Sequence, residues 1–440
     1  MPPPRPPPPL RKRPEIPDLE PRLTAGPLER AILAAVKFTQ SSARHGDVDS
    51  GEFSLSELAE LAKSAGARVC ERVLQARPTA EAATLIGSGK VLELADLVKL
   101  HKADLVIFDN DLSPTQQRNL EKALAARVID RTQLILDIFA GRARTREGRL
   151  QVELAQLNYL LPRLAGRGKS MTRQGGGIGT RGPGETQLET DRRRIHKRIK
   201  KVDLELENVR GVRGVHRRQR TAVPLATVAL TGYTNAGKST LFNRLTSAGV
   251  AADARMFATL DPTVRGVTLP SRRRVLLSDT VGFIRNLPTT LVKAFRATLE
   301  EVTEAALILH VVDASSPHAA EQAEHVTKVL AGIGAHGTTQ LRVWNKIDLL
   351  PGTPDLDGVA VSSVTGAGFD TLLAEIDRVL PFDSVETAHF RIPLTEAGCV
   401  HLLHELGEVI TQRYEGEFCE VEVRVSESLR VRLSEYLVRG

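Results

Sequence analysis

The stretch Gly232-Tyr-Thr-Asn-Ala-Gly-Lys-Ser239 matches the pattern GxxxxGK[ST] at every fixed position. It follows an apolar run, Thr227–Leu230, and precedes a helical pattern that begins at Lys238. A strand, a glycine-rich turn and a helix in that order form a phosphate-binding loop, in which backbone N–H groups and the positive end of the helix face phosphate oxygens. We therefore expect an α/β domain that binds a nucleoside phosphate, with Lys238 on the β- and γ-phosphates and Ser239 on Mg²⁺.

A second motif, Asp279-Thr-Val-Gly282, follows the apolar run Val275–Leu277. An aspartate at the end of a buried strand can hold the water shell of Mg²⁺, and the Gly282 N–H can contact the γ-phosphate. This motif predicts a site that distinguishes a nucleoside triphosphate from a diphosphate.

Two further motifs predict which base is bound. Asn345-Lys-Ile-Asp348 follows the strand-like run Leu341–Trp344, and Ser362-Ser363 follows Val359–Val361. The carboxylate of Asp348 can accept hydrogen bonds from N1–H and the 2-amino group of guanine, and the serine pair can offer an N–H to guanine O6. Because adenine lacks that pair of donors, it would leave the carboxylate unpaired. The order of all these motifs predicts a GTPase.

Composition favours a cytoplasmic protein with several domains. The 440 residues carry 60 Lys and Arg against 53 Asp and Glu, a net charge of +7, and only 4% are aromatic. The cysteines at 70, 399 and 419 are far apart and lack metal-ligand spacing, which favours a reducing compartment. No apolar run reaches the ~18 residues of a membrane span, and the first residues lack the apolar core of a signal peptide. We expect no membrane span, and peripheral membrane association stays open.

Residues 149–220 carry the pattern of a basic helical hairpin. Leucines at 150, 154, 157, 161 and 164 are spaced 4, 3, 4, 3, and apolar residues at 195, 199, 202, 206 and 209 repeat that spacing. Two apolar seams joined by a loop predict an antiparallel pair of helices. Residues 151–220 hold 17 Lys and Arg against 7 Asp and Glu. This local positive charge favours structured RNA as a partner, and a solvated hairpin without a partner is the alternative. The predicted RNA-binding residues are Arg167, Lys169, Arg173, Arg181, Arg192 and Arg193.

The part before the hairpin contains two predicted segments. Residues 1–30 hold 11 of the 24 prolines and predict a disordered tail. Residues 31–148 alternate strand-like and helix-like runs, which predicts a small parallel α/β domain. Ser54 and Glu57 have the spacing of a capping box and predict a helix start. The predicted strands are 32–38, 68–75, 104–108 and 128–129.

The part after the hairpin also contains two predicted segments. The GTPase motifs lie within residues 225–382, an α/β domain. Residues 386–440 predict a small α+β unit, with a helix near 395–410 followed by an alternating strand at 419–425.

Together with the nucleotide motifs, two segments resemble one known family. The glycine-rich segment GGGIGTRGPGETQLETDRR (175–193) and Phe257-Ala-Thr-Leu-Asp-Pro-Thr263 are similar to those of the HflX family of GTPases. The resemblance extends from about residue 30 to the C-terminus. It implies binding to the large ribosomal subunit, with the glycine-rich tip near the peptidyl-transferase region, and a role in rescuing or splitting ribosomes under stress.

Spacing alone does not decide which threonine would bind Mg²⁺, because Thr259, Thr263 and Thr268 all lie between the phosphate-binding loop and Asp279. The resemblance selects Thr259. Many GTPases have a water-orienting glutamine after the DxxG glycine, whereas this chain has Phe283, so we expect slow intrinsic hydrolysis that a partner accelerates.

Asn235 occupies the loop position at which some related GTPases bind a K⁺ ion, which predicts hydrolysis stimulated by K⁺. In the competing interpretation, Asn235 only braces the loop. The predicted catalytic residues are Lys238, Asn235, Thr259 and Gly282. The predicted Mg²⁺ site uses Ser239 and Thr259 directly and Asp279 through water. The predicted nucleotide-binding residues are Gly232, Tyr233, Thr234, Asn235, Ala236, Gly237, Lys238, Ser239, Phe257, Ala258, Thr259, Leu260, Asp261, Asp279, Thr280, Val281, Gly282, Asn345, Lys346, Ile347, Asp348, Ser362, Ser363 and Val364.

The favoured function is a GTP-driven remodelling enzyme of ribosomes, in which the GTP state holds the hairpin domain ready to bind. We expect a monomer that binds GTP, GDP and the rRNA of the large ribosomal subunit. One alternative is an RNA-binding regulatory switch that separates no subunits. Another is a GTPase of tRNA modification.

Overall fold

The computed structural model describes residues 28–39, 50–164, 183–221, 225–246, 256–285, 301–352, 357–380 and 385–438. Most of the predicted tail and the tip of the predicted hairpin lie outside the described residues. The chain divides into two compact units, residues 1–141 with 156–188, and residues 142–155 with 189–440.

Four parallel strands form the sheet of the first unit, in the order β2-β1-β3-β4. They are β1 Arg30–Phe38, β2 Arg68–Arg77, β3 Leu105–Phe108 and β4 Arg127–Asp130. The helices are α1 Ser50–Ser64, α2 Ser88–His101, α3 Pro114–Leu124 and α4 Arg131–Arg142. The four predicted strands are confirmed, and the first three helices supply the crossovers that parallel strands need.

Ser54 and Glu57 do not begin a helix, contrary to the prediction from their spacing. Helix α1 begins at Ser50, and Ser54 Oγ donates to Asp109 Oδ2, 2.6 Å away. Glu57 and Asp109 both pair with the guanidinium of Arg131, which is 1% exposed. Because an unpaired charge at that depth would be costly, the two carboxylates serve a buried ion cluster and not a helix end.

Two long helices, α5 Arg146–Leu164 and α6 Pro183–Thr221, confirm the helical part of the predicted hairpin. Three residues of the predicted seam on α6 are buried, namely Ile195, Val202 and Leu206. The predicted seam therefore faces the protein interior.

Two ion pairs show that α5 and α6 run in opposite directions. Arg146 Nη2 lies 3.5 Å from Glu205 Oε2, and Arg198 Nη2 lies 2.7 Å from Glu153 Oε2. A step of seven residues forward along α5 thus corresponds to a step of seven backward along α6. This geometry is that of an antiparallel pair with a heptad spacing.

A six-stranded sheet, in the order β10-β9-β8-β5-β7-β6, forms the GTPase domain. Its strands are β5 Thr227–Gly232, β6 Thr263–Thr268, β7 Arg274–Asp279, β8 Leu307–Asp313, β9 Gln340–Asn345 and β10 Val359–Ala360. Only the pairing of β6 with β7 is antiparallel among these described strands. The described helices include α7 Lys238–Thr246, Ala319–Gly332 and Phe369–Val379. The first and last of these pack on the same apolar core.

The C-terminal part is a three-stranded antiparallel sheet in the order β11-β13-β12. Its strands are β11 Val385–Pro393, β12 Glu408–Glu415 and β13 Phe418–Ser426. The helix Ala397–Leu406 is shorter than predicted, because Gly407 ends it in an extended conformation and β12 follows. The alternating strand predicted at 419–425 is confirmed.

Candidate nucleotide-binding site

Four parallel strands of the GTPase sheet bring their carboxyl ends to one edge. They end at Gly232, Asp279, Asp313 and Asn345. In an open α/β sheet this edge is where ligands bind. The predicted motifs on β5, β7 and β9 therefore lie at one edge of one sheet.

The phosphate-binding loop has the backbone that its sequence predicts. Gly232 and Gly237 have φ of +149° and +91°, where L side chains are strained, and a Cβ on Gly237 would collide with Asn345 Nδ2. Asn235 also has a positive φ, +61°, and its side chain is exposed. Helix α7 begins at Lys238, so its positive end faces the loop.

Lys238 is buried and already held in place. Its Nζ donates to the carbonyl oxygens of Gly232, 3.1 Å away, and Tyr233, 2.7 Å away. Burial lowers the pKa of Lys238 to about 8, and the negative charge of Asp279 opposes that shift. The ammonium group is thus fixed in the loop before any phosphate contributes.

Three oxygen atoms converge beside the loop, from Ser239, Thr259 and Asp279. Ser239 Oγ lies 2.7 Å from Thr259 Oγ1, and both hydroxyls donate to Asp279 Oδ2, at 2.8 and 2.9 Å. The other carboxylate oxygen, Asp279 Oδ1, is buried without a hydrogen-bond partner among the described residues. Hydroxyl and carboxylate oxygens are the ligands that Mg²⁺ prefers, so this donor set fits the ion.

The structure distinguishes the three threonines that spacing left open. Thr259 lies beside Ser239 and Asp279, whereas Thr263 and Thr268 are the first and last residues of β6. Burial raises the pKa of Asp279, and Lys238, Ser239 and Thr259 counter that effect. A cation at these oxygens would also favour the ionised carboxylate.

Gly282 and Phe283 lie directly against the phosphate-binding loop. A Cβ on Gly282 would lie 3.0 Å from Lys238 Nζ, so a side chain would crowd the ammonium group. Phe283 is 2% exposed, and its N–H donates to the carbonyl oxygen of Gly232, 3.0 Å away. Its ring is therefore part of the core, and a side chain at this position is not available to orient a water molecule.

Asn345 connects two loops of the predicted guanine site. Its Nδ2 donates to the carbonyl oxygen of Ala236, 2.8 Å away. Its Oδ1 accepts hydrogen bonds from Ser363, from the backbone N–H at 3.0 Å and from Oγ at 2.8 Å. With all three bonds buried, Asn345 holds the phosphate-binding loop and the 362–364 segment together. Val364, the last residue of that segment, is exposed.

Asp348 and Lys346 extend from the same turn, which includes Ile347. Asp348 Oδ1 accepts a hydrogen bond from Ser362 Oγ at 2.6 Å, which orients a carboxylate at the surface. Lys346, with φ of +66°, places its Nζ 2.6 Å from Asp313 Oδ2. Sequence reasoning missed Asp313, although its position directly after the apolar run of β8 is the same signal that identified Asp279.

The segment from Phe257 to Asp261 has buried and half-buried members. Phe257, with φ of +57°, and Leu260 are buried, which anchors the segment on both sides of Thr259. Asp261 was predicted among the nucleotide-binding residues, but its carboxylate accepts hydrogen bonds from the backbone N–H groups of Arg144 and Thr145. The structure therefore places that side chain against the start of α5.

Of the predicted RNA-binding residues, Arg192 and Arg193 lie exposed on α6, and Arg193 pairs with Glu189. The others, Arg167, Lys169, Arg173 and Arg181, lie outside the described residues and stay predictions. In the part of the chain that the structure describes, every helix is too short or too polar to cross a bilayer.

Three family models match successive parts of the chain. The model described as GTP-binding GTPase N-terminal matches residues 52–140, and the model of the GTP-binding GTPase middle region matches residues 142–220. The model described as 50S ribosome-binding GTPase matches residues 227–346.

Several curated proteins named GTPase HflX match most of the chain. The protein of Caldanaerobacter subterraneus subsp. tengcongensis is 46% identical over 412 residues, which cover 93% of this chain and 94% of that protein. The Escherichia coli protein is 43% identical over 417 residues, which cover 93% and 95%. A solved structure, the GDP complex of a GTP-binding protein from Sulfolobus solfataricus, covers 80% of this chain and 98% of its own, with 24% identity and a TM-score of 0.43. From the two relatives and their coverage, the chain belongs to the HflX family of GTPases, and it hydrolyses GTP.

Proposed function

We propose that this GTPase binds the large ribosomal subunit and uses GTP binding and hydrolysis to split or rescue ribosomes under stress, acting as a monomer in the cytoplasm. The observation that carries the proposal is the exposed basic face of α6 in a chain whose GTPase domain matches a family model described as ribosome-binding. In a GTPase with a basic helical arm, the affinity for RNA can depend on which nucleotide is bound.

The basic face lies on the first half of the described part of α6. Ile195 and Val202 are buried, so the apolar side of the helix faces inward, and six cations before and between them are exposed. Exposed cations here are Arg192, Arg193, Arg194, Lys197, Lys200 and Lys201. A row of exposed cations binds the phosphate backbone by releasing counterions, so the interaction should weaken steeply with salt.

At the nucleotide site, Ser239 and Thr259 would bind Mg²⁺ directly, and Asp279 would hold its water shell. When bound, the ion neutralises charge on the β- and γ-phosphates. Lys238 supplies a fixed positive charge beside them, and the Gly282 N–H contacts the γ-phosphate. The residue that follows Gly282 is the buried Phe283, which cannot orient an attacking water as a glutamine does. We therefore expect slow intrinsic hydrolysis that the ribosome accelerates.

A K⁺ ion at Asn235 is the finer part of this proposal. The side chain of Asn235 is exposed and makes no hydrogen bond to another described residue, so its amide oxygen is available as a ligand. A cation there would add positive charge beside the phosphates during hydrolysis. Turnover should be higher in K⁺ than in Na⁺ for the wild type and equal in both for Asn235→Ala. Equal wild-type turnover in the two salts would contradict the K⁺ site and favour a bracing role.

Co-sedimentation with purified large subunits tests the ribosomal part. The wild type should sediment with a non-hydrolysable GTP analogue and much less with GDP. Reversing both charges in Arg192→Glu/Arg193→Glu should weaken binding at least tenfold and reduce its salt dependence. The control is Lys328→Glu, a single charge reversal at an exposed residue away from α6, in the helix Ala319–Gly332. Equal binding of all three proteins, or equal binding with both nucleotides, would contradict the proposal.

Light scattering of intact ribosomes distinguishes the alternatives. A splitting enzyme lowers the scattering in a GTP-dependent way, whereas a regulatory switch binds without lowering it. A GTPase of tRNA modification would bind neither intact ribosomes nor large subunits. GTP-dependent binding without dissociation would leave the regulatory switch as the function.

A further inference from the structure

The carboxylate of Asp261 connects the segment that carries Thr259 to the start of α5. It accepts hydrogen bonds from the backbone N–H groups of Arg144 and Thr145, both at 2.9 Å, through Oδ2. Its Oδ1 accepts a third from the hydroxyl of Thr145. One carboxylate therefore accepts three hydrogen bonds from two adjacent residues, which lie 116 and 117 positions away in the sequence.

The start of α5 is shaped to receive this carboxylate. Thr145 precedes the first helical residue, and its Oγ1 accepts a hydrogen bond from the N–H of Gly148, 2.9 Å away, as a helix cap does. A Cβ on Gly148 would collide with Asp261 Oδ1. A glycine here thus leaves room for the carboxylate, and the helix dipole favours its negative charge.

Thr259 and Asp261 cannot move independently. Only Leu260 separates them, and it is 2% exposed. Two residues farther on, β6 begins at Thr263, paired with Asp279. Thr259 itself lies between Ser239 and Asp279 at hydrogen-bond distance. A change that displaces Asp261 must therefore disturb Thr259, the residue proposed to bind Mg²⁺.

We propose that Thr145 is a positioning residue for GTP hydrolysis, which holds Thr259 on the metal through Asp261. The inference rests on the proposed role of Thr259 at the Mg²⁺ site, and only its extension to the ribosome rests on α5 and α6 as the proposed ribosome-binding arm. Because γ-phosphate and Mg²⁺ order the switch segment of a GTPase, the contact of Asp261 with α5 is strongest in the GTP state. By linkage, anything that stabilises the contact also strengthens GTP binding relative to GDP binding.

The first test separates positioning from helix capping. Thr145→Asp keeps an oxygen that caps the N–H of Gly148 but sets a negative charge against Asp261. Thr145→Ser keeps both the cap and the donor. We expect Thr145→Asp to lower the affinity for a GTP analogue and intrinsic kcat about tenfold, to raise the Mg²⁺ concentration for half-maximal activity, and to leave GDP affinity unchanged. Thr145→Ser should match the wild type in all four measurements.

Gly148→Ala supplies an independent variant, because it pushes on the carboxylate without changing Thr145. It should shift the ratio of GTP to GDP affinity in the same direction as Thr145→Asp. If Thr145→Asp lowers the melting temperature but leaves the Mg²⁺ dependence and the GTP to GDP ratio unchanged, Thr145 is only a cap and the inference is wrong. Equal losses of GTP and GDP affinity would overturn it too.

These measurements use the full chain without ribosomes, so they do not depend on the proposed partner. Sedimentation with large subunits then tests the other direction of the coupling. Thr145→Asp should bind large subunits equally weakly with GTP analogue and GDP. If the wild type fails to bind them at all, the proposed function is wrong while the positioning role of Thr145 is decided by the nucleotide measurements alone.

Discussion

The backbone N–H of Thr234 donates a hydrogen bond to the carbonyl oxygen of Phe283, 2.7 Å away. The phosphate-binding loop is thereby tied to the residue that follows Gly282. In GTPases with a glutamine after this glycine, the side chain reaches an attacking water. Here backbone hydrogen bonds hold Phe283 against the loop, and its ring is buried in the core. The side chain at this position therefore contributes packing.

Phe283→Gln should therefore destabilise the protein without creating a faster enzyme. A buried amide without partners costs about 1–3 kcal/mol, in addition to the lost apolar contacts. We expect a lower melting temperature and an intrinsic kcat that rises by less than about threefold. Phe283→Leu, which keeps an apolar side chain, is the control and should lose less stability. Single-turnover hydrolysis more than tenfold faster in Phe283→Gln would refute this view.

Asn345→Ala should weaken the binding of both GTP and GDP. The substitution removes the bond to Ala236 and both bonds from Ser363, so the two loops lose their connection and buried polar groups lose their partners. We expect at least a tenfold loss of affinity for each nucleotide, measured with fluorescent analogues. Ser363→Ala removes only one donor and should have a much smaller effect. A loss confined to GTP would show that Asn345 acts on the γ-phosphate side.

Asp348→Asn should change which base is preferred. In its predicted role the carboxylate accepts hydrogen bonds from both N1–H and the 2-amino group of guanine, whereas an asparagine would place the donor N–H groups of its amide against the 2-amino group, which is also a donor. Xanthine carries a carbonyl in place of that amino group. We expect the GTP affinity to fall about 100-fold and xanthosine triphosphate to bind more tightly than GTP in the variant. Unchanged preference for guanine would exclude Asp348 from base recognition.

The nucleotide motifs could be predicted because each depends on a local sequence of strand, turn and polar residue. Gly232, Asp279 and Asn345 each follow an apolar run, and parallel pairing necessarily brings such positions to one edge. The same logic would have found Asp313. The α6 seam could be predicted for a similar reason, since a heptad spacing fixes one face of a helix.

Contacts between distant residues could not be predicted. Ser54 and Glu57 have capping-box spacing, but the buried charge of Arg131 decides their role, and nothing near them in sequence shows that. In the same way, the Asp261 side chain has its partners at Arg144 and Thr145. In the first case, contacts with a distant charged residue replaced the helix start that the local spacing predicted. In the second case, the partners of the carboxylate are so far away in the sequence that no local pattern indicates them.

Nucleotide affinity should depend on pH through Lys238. Burial lowers its pKa to about 8 from 10.5, so the ammonium group of the nucleotide-free protein has lost half of its protons near pH 8. Between that pH and about 10.5 the unfolded chain binds a proton that the folded chain does not. In this window the free energy of unfolding of the nucleotide-free protein therefore rises with pH.

A bound phosphate shifts the protonation equilibrium of Lys238 the other way, because its negative charge favours the charged ammonium group. Binding of GDP above pH 8 must then take up a proton at Lys238, and affinity should fall with pH by up to about tenfold per unit. Calorimetry at pH 7 and 8.5, in two buffers of different ionisation enthalpy, measures the uptake. The guanine base titrates in the same way with Lys238→Arg, but the guanidinium of the variant keeps its charge. The variant should therefore bind GDP without the proton uptake at residue 238. Identical proton uptake in both proteins would mean that Lys238 is already fully charged before the nucleotide arrives.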